Sequence, residues 1–114
     1  MSTKIDIETR DGYLIIRLEG DYNTKEDNSN LLTSIRNLAK KNNKNIIIDL
    51  TKVIYLDSES IGVLLSGNAI LKKKDGKLVL FGASDYLDNI FNITRLNLAF
   101  DICKTEEEAI RALK

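Results

Sequence analysis

Residues 49–64 read DLTKVIYLDSESIGVL, and this stretch decides how the chain is read. The β-type apolar run stops at Asp57, two serines flank a glutamate, and apolar residues then recur at helical spacing. A strand therefore meets a helix with hardly a loop between them. The first N–H groups of a helix have no intrahelical partner, and a side-chain oxygen from Asp57 or Ser58 can accept from them. The same end carries partial positive charge and favours anions. A phosphate on Ser58 would add about −1.5 to −2 charge there. From these residues alone two readings stand: a plain helix cap built from Asp57, Ser58 and Ser60, or a hydroxyl that is modified.

Upstream of the junction, Ile46-Ile47-Ile48 followed by Asp49-Leu50 predicts a central strand buried on both faces. Downstream, residues 58–74 form a helix candidate, with Ile61, Leu64, Leu65, Ala69 and Leu71 as its apolar positions. Gly62, Ser66 and Gly67 give it one small-residue side, and Asp75-Gly76 stops it. Residues 77–81 are again strand-like. Strand, helix and strand in this order make a right-handed crossover with a parallel pair.

At the N-terminal side, residues 4–9 alternate polar and apolar, and Asp11-Gly12 signals a hairpin. Leu14, Ile16 and Leu18 share a face of the second strand, and Gly20 is expected to end it. Residues 21–30 are polar and read as a loop leading into a helix with Leu31, Leu32, Ile35, Leu38 and Ala39 inward. On the C-terminal side, Ser84 or Asp85 caps a short helix, residues 100–103 form a last strand, and Thr105-Glu106-Glu107-Glu108 is a capping box. Ala109, Ile110 and Leu113 point inward from the terminal helix. The order β-β-α-β-α-β-α-β-α predicts an α/β fold with a mixed sheet of about five strands and about four helices. No linker, repeat or low-complexity segment interrupts the 114 residues, so one domain over 1–114 is expected.

Composition narrows the chemistry. Seventeen basic and 17 acidic residues cancel, which argues against a nucleic-acid partner. No apolar run approaches the roughly 20 residues of a membrane span, so no membrane partner is expected. The N-terminus lacks an apolar signal segment. Cys103 is the one cysteine, which fits a reducing cytoplasm. There is no histidine, no zinc-ligand set and no phosphate-binding glycine loop. No metal, cofactor or catalytic residue is expected, and no nucleophile–base pair stands out, so the protein reads as no enzyme.

The whole chain resembles the STAS domain family, the bacterial anti-sigma factor antagonists. The resemblance lies in Gly12-Tyr13-Leu14 with Leu18-Glu19-Gly20-Asp21, residues 46–50 with Thr51-Lys52-Val53, and Gly76-Lys77-Leu78. Ile93-Thr94-Arg95-Leu96, Phe100-Asp101-Ile102 and residues 105–109 extend it. Asp57-Ser58-Glu59-Ser60-Ile61-Gly62 is similar to the family's D-S-[ST]-G-[LI]-G. The resemblance implies a binding module whose partner is an anti-sigma factor and serine kinase. Phosphorylation in the D-S-[ST] segment would break that complex, and a phosphatase would restore it. The acceptor would be Ser58, or alternatively Ser60. Glu59 stands where the family's second hydroxyl lies, and leaves open a fixed charge with no switch. The partner surface is expected around Tyr22, Asn23, Asp57, Ser58, Glu59, Ser60, Ile61 and Gly62. The alternatives are a non-switching STAS scaffold, or a ligand- or lipid-binding module in a larger signalling or transport assembly.

The remaining features read as structural. Lys72-Lys73-Lys74 and Lys77 suit a solvated helix end, with a nucleic-acid or phospholipid role as the alternative. Asp49 reads as a strand-end polar group, with a metal or partner contact beside Asp57 as the alternative. Cys103 reads as a core thiol. The sequon Asn92-Ile93-Thr94 would go unused in a cytoplasmic chain.

Overall fold

A hairpin starts the fold in the computed structural model, which describes residues 3–114. Strands β1 (Lys4–Arg10) and β2 (Tyr13–Tyr22) pair antiparallel across a turn in which Gly12 takes φ +87°, a conformation that favours glycine. Helix α1 (Lys25–Lys40), strand β3 (Asn45–Leu56), helix α2 (Ser58–Lys72), strand β4 (Lys77–Phe81) and helix α3 (Asp85–Ile93) follow. A 3-10 turn (Leu96–Leu98), strand β5 (Asp101–Cys103) and helix α4 (Glu106–Ala112) complete it. The strands lie in chain order β1-β2-β3-β4-β5, and every pairing after the first is parallel. This is the mixed five-stranded, four-helix α/β architecture that the periodicity predicts.

Both faces of the sheet are covered. Leu31, Ile35 and Ala39 of α1, Val63, Leu64 and Leu71 of α2, and Leu87 and Phe91 of α3 pack on Leu14, Ile16, Ile46 and Ile48. On the opposite face, α4 sets Ala109 against Ile15, Ile47, Val79 and Phe81. The unbroken isoleucine run is thus explained: alternate members serve different cores. Arg17 fastens the smaller face. Its guanidinium donates to Asp49 Oδ2 at 2.8 Å and Glu106 Oε1 at 3.0 Å, and also bonds Glu8. The hydrogen bonds from Arg17, then Arg10, hold the Glu8 carboxyl down at about 2. Asp49 also accepts from the Thr51 amide at 2.9 Å, so it is a mid-strand tie rather than a strand end.

Several boundaries differ from the sequence reading, and α2, expected over 58–74, ends at Lys72. β2 does not end at Gly20 but runs on to Tyr22. Gly20 takes φ +104° beside a register shift at Gly20/Asp21, so the glycine makes a bulge instead of a stop. The expected loop over 21–30 shrinks accordingly. Thr24 caps α1 by accepting from the Asp27 amide, and the helix starts at Lys25. The small-residue side of α2 also divides: Gly67 faces α1, its absent Cβ lying 3.1 Å from Ile35 Cδ1, while Gly62 has open space around it. Cys103 is half-buried and packs against the smaller core, and burial raises its thiol pKa. No helix among the described residues is long and apolar enough to cross a membrane.

Gly76 closes the α2–β4 turn. A Cβ there would sit 1.9 Å from the Lys44 carbonyl oxygen, so backbone must move. Gly76→Ala is expected to lower unfolding free energy by about 1–3 kcal/mol, as overpacking does. Urea titration checks it, and an unchanged midpoint would show that the two turns yield freely.

Candidate functional site

The junction is organised around Ser60. Asp57 is the N-cap of α2, and its Oδ1 accepts from the Ser60 amide at 2.8 Å. The Ser60 side chain turns inward to 0% exposure. Its Oγ lies 2.5 Å from the Tyr22 carbonyl oxygen, 2.6 Å from Asn28 Oδ1 and 2.8 Å from Asp57 Oδ1. With one proton it donates to one of these at a time. The Asp57 amide also donates to the Tyr22 carbonyl at 3.1 Å, and Asn28 Nδ2 to Asp57 Oδ1 at 3.2 Å. The end of β2, the first turn of α1 and the start of α2 therefore meet in one polar knot. Burial raises the Asp57 pKa, but hydrogen bonds from Ser60 and Asn28 outweigh it and leave the carboxyl below its ordinary value.

This geometry corrects the expected surface. Tyr22 is fully buried, and its hydroxyl donates to the Lys4 carbonyl at 2.8 Å. Burial, then the charge of Asp27, pushes its pKa up to about 12. Ser60 is buried as well, and its hydroxyl is already engaged. Past the bulge at Gly20, β2 continues beside β3 with Tyr22 opposite Leu56, and the Tyr22 carbonyl there meets Ser60 and the Asp57 amide. Asn23, Ser58 and Glu59 are exposed, while Asp57, Ile61 and Gly62 are half-buried. These six share the surface, with Tyr22 and Ser60 supporting it from below. Asp49 and Asp57 do not meet, since Asp49 is tied to Arg17 and Thr51. Among the described residues no three His, Cys, Asp or Glu side chains converge as a metal site.

The surface extends along α2. No charged residue occurs between Glu59 and Lys72, and Leu65, Ser66 and Ala69 are exposed. Ile54 and Tyr55 lie exposed just before the junction, on the part of β3 that outruns its pairing with β4 at Asp49. Sequence reasoning missed this smooth face. The missing charges along the helix were the available signal. A separate cleft of about 750 Å³, near the ends of β4 and β5, is lined by Asp85, Asp88, Asn92, Asn97 and Lys104 among others. It is polar, unlike the apolar cleft that a lipid-binding reading needs.

Residues 4–109 match the STAS domain. The chain belongs to the STAS domain family. An anti-sigma-B factor antagonist of Listeria monocytogenes is 43% identical over 61 residues, 54% of each chain. The match thus spans about half the length of that relative. The protein of that name from Staphylococcus aureus is 28% identical over 98 residues, 84% of this chain and 88% of the relative. The Bacillus cell fate determinant SpoIIAA, solved in its phosphorylated form, superposes with a TM-score of 0.76 at 21% identity, covering 97% of this chain and 100% of the other. That likeness concerns the fold. The STAS assignment agrees with the resemblance read from Asp57-Ser58-Glu59-Ser60-Ile61-Gly62.

The two serines should separate cleanly. Ser60→Ala is expected to cost about 1–3 kcal/mol, because a buried polar knot loses its donor. Ser58→Ala should stay within about 0.5 kcal/mol, as exposed substitutions do. Equal urea midpoints for the two variants would refute the knot. The lowered Asp57 pKa adds a pH signature. Its stabilisation is fully present above the unfolded carboxyl value of about 3.9 and is lost as pH falls through the folded value. Asp57→Asn should therefore lessen the loss of stability on the acid side, read by thermal unfolding across pH.

Proposed function

We propose that this STAS protein is an anti-sigma factor antagonist that works by binding, without catalysis of its own. The partner is an anti-sigma factor that is also a serine kinase, and the contact forms on Ser58, Glu59, Asn23 and the uncharged outer face of α2. The observation that carries this reading is the contrast between the two serines. Ser58 offers an exposed hydroxyl at the start of an uncharged helix face, and Ser60 does not. The names of the Listeria and Staphylococcus relatives support the role, and that of phosphorylated SpoIIAA supports modification as its control.

In this reading Ser58 is the acceptor. A phosphate there adds about −1.5 to −2 charge beside Asp57 and Glu59. Buried against an apolar partner surface, that charge is costly to desolvate, so the complex opens. A phosphatase resets it. Glu59 does not replace the phosphate, since it brings one charge and a planar carboxylate. The setting of such a switch is the cytoplasm, where kinase and sigma factor meet.

Incubation with ATP and the cognate kinase is expected to add one phosphate, seen by intact mass, that disappears in Ser58→Ala. Calorimetry should show tight binding of the unmodified chain and at least tenfold weaker binding after modification. Retained kinase binding with no mass shift would overturn the switch and favour the non-switching scaffold. Gly62→Gln tests the surface. The open space around Gly62 lets the side chain project outward, so folding should be kept while kinase affinity falls at least tenfold. Unchanged affinity would move the contact elsewhere.

A further inference from the structure

The net charge of zero hides an uneven spread of charge between the two ends of the sheet. All parallel strands start at one end, where α1, α2 and α4 finish. The α1–β3 turn brings Lys40, Lys41 and Lys44 there, and the α2–β4 turn brings Lys72, Lys73 and Lys74. All six are exposed, and among the described residues none lies in an ion pair. The turns are joined: Lys77 N donates to Lys44 O at 2.9 Å, and Lys74 Nζ to Ala39 O at 2.7 Å. Asp75 is the one acid on them. The opposite end, with Ser58, is mixed, setting Asp57, Glu59, Asp85 and Asp88 against Lys25, Lys52 and Lys104. A strand rises about 3.3 Å per residue, so β3 sets the two ends several Debye lengths of about 8 Å apart. Each end acts on its surroundings separately.

A second feature lies beside the lysines. Leu98, in the 3-10 turn before β5, is 78% exposed, a degree of exposure that among the large apolar side chains described only Ile93 at the end of α3 exceeds. Leu98 lines the same hollow as Lys72, Lys77 and Asp101, where Lys77 and Asp101 are paired at 2.9 Å. A bare aliphatic side chain next to a lysine cluster matches the two layers of a lipid surface, anionic headgroups over acyl chains. A nucleic acid would leave Leu98 without a partner, and it favours arginine forks that the two lysine turns lack, Arg10 beside Lys44 being paired with Glu8.

We propose that this end is a docking face for an anionic membrane surface, with the lysines on headgroups and Leu98 in the interface. The chain lies on the bilayer and does not cross it. Docked in this way, it holds the Ser58 end away from the lipid. The proposal does not depend on the kinase reading.

Flotation of the full chain with vesicles tests it. Binding is expected to vesicles of phosphatidylcholine mixed with phosphatidylglycerol and not to phosphatidylcholine alone, and to weaken with added salt. Each lysine near an anionic leaflet multiplies partitioning about fivefold, so Lys72→Glu, Lys73→Glu and Lys74→Glu together should lower it on the order of a hundredfold. Lys40→Glu, Lys41→Glu and Lys44→Glu should do the same, with circular dichroism unchanged. Leu98→Ser should weaken binding further at high salt than at low. Lys25→Glu with Lys52→Glu, away from this face, should change nothing. No binding to mixed vesicles at low salt would overturn the proposal. So would equal loss in the Lys25 and Lys52 control, or binding to duplex DNA with no binding to vesicles.

Discussion

One buried hydroxyl holds the strand-to-helix junction of this molecule in place. Ser60 Oγ sits among the Tyr22 carbonyl, Asn28 and Asp57, which belong to β2, α1 and the cap of α2. Two stretches far apart in sequence, 22–28 and 57–60, are tied together by these polar contacts. The apolar cores set where the helices lie against the sheet. The Ser60 knot sets how the α2 start is aimed, and so where Ser58 meets solvent.

Much of the fold was legible beforehand, for physical reasons. The isoleucine run in β3 can only be buried on two faces, and the Thr105–Glu108 capping box marked α4 with Glu108 N accepted by Thr105 Oγ1 at 3.2 Å. The parallel pair followed from crossover handedness. Gly20 misled, because a glycine at positive φ can bulge a strand as well as end it, and one sequence does not say which. Reading Gly20 as a stop placed Tyr22 in a loop, and hence on the surface.

The site was legible as a segment but not as a surface. Helical spacing identified 58–62 as a first turn, yet which hydroxyl faces water depends on what lies beneath. Ser60 stood as the alternative to Ser58, and tertiary structure sets it apart by bringing Asn28 and the Tyr22 carbonyl below it. The smooth outer face of α2 was visible as a lack of charge, which is harder to notice than a motif. Arg17 shows the same limit: nothing local to its strand announces that Glu8, Asp49 and Glu106 will converge on it.

The division of labour along α2 has a consequence for how proteins of this build diverge. Gly67 and Ser60 answer to the interior, while Gly62, two turns or less from either, answers to nothing inside the molecule. If the proposed contact forms on the outer stripe, changes there alter what is recognised at little cost to folding, and changes on the inner stripe do the reverse. Duplicate copies in one cell can thus drift to separate partners on a common scaffold, insulated from cross-talk by a handful of side chains.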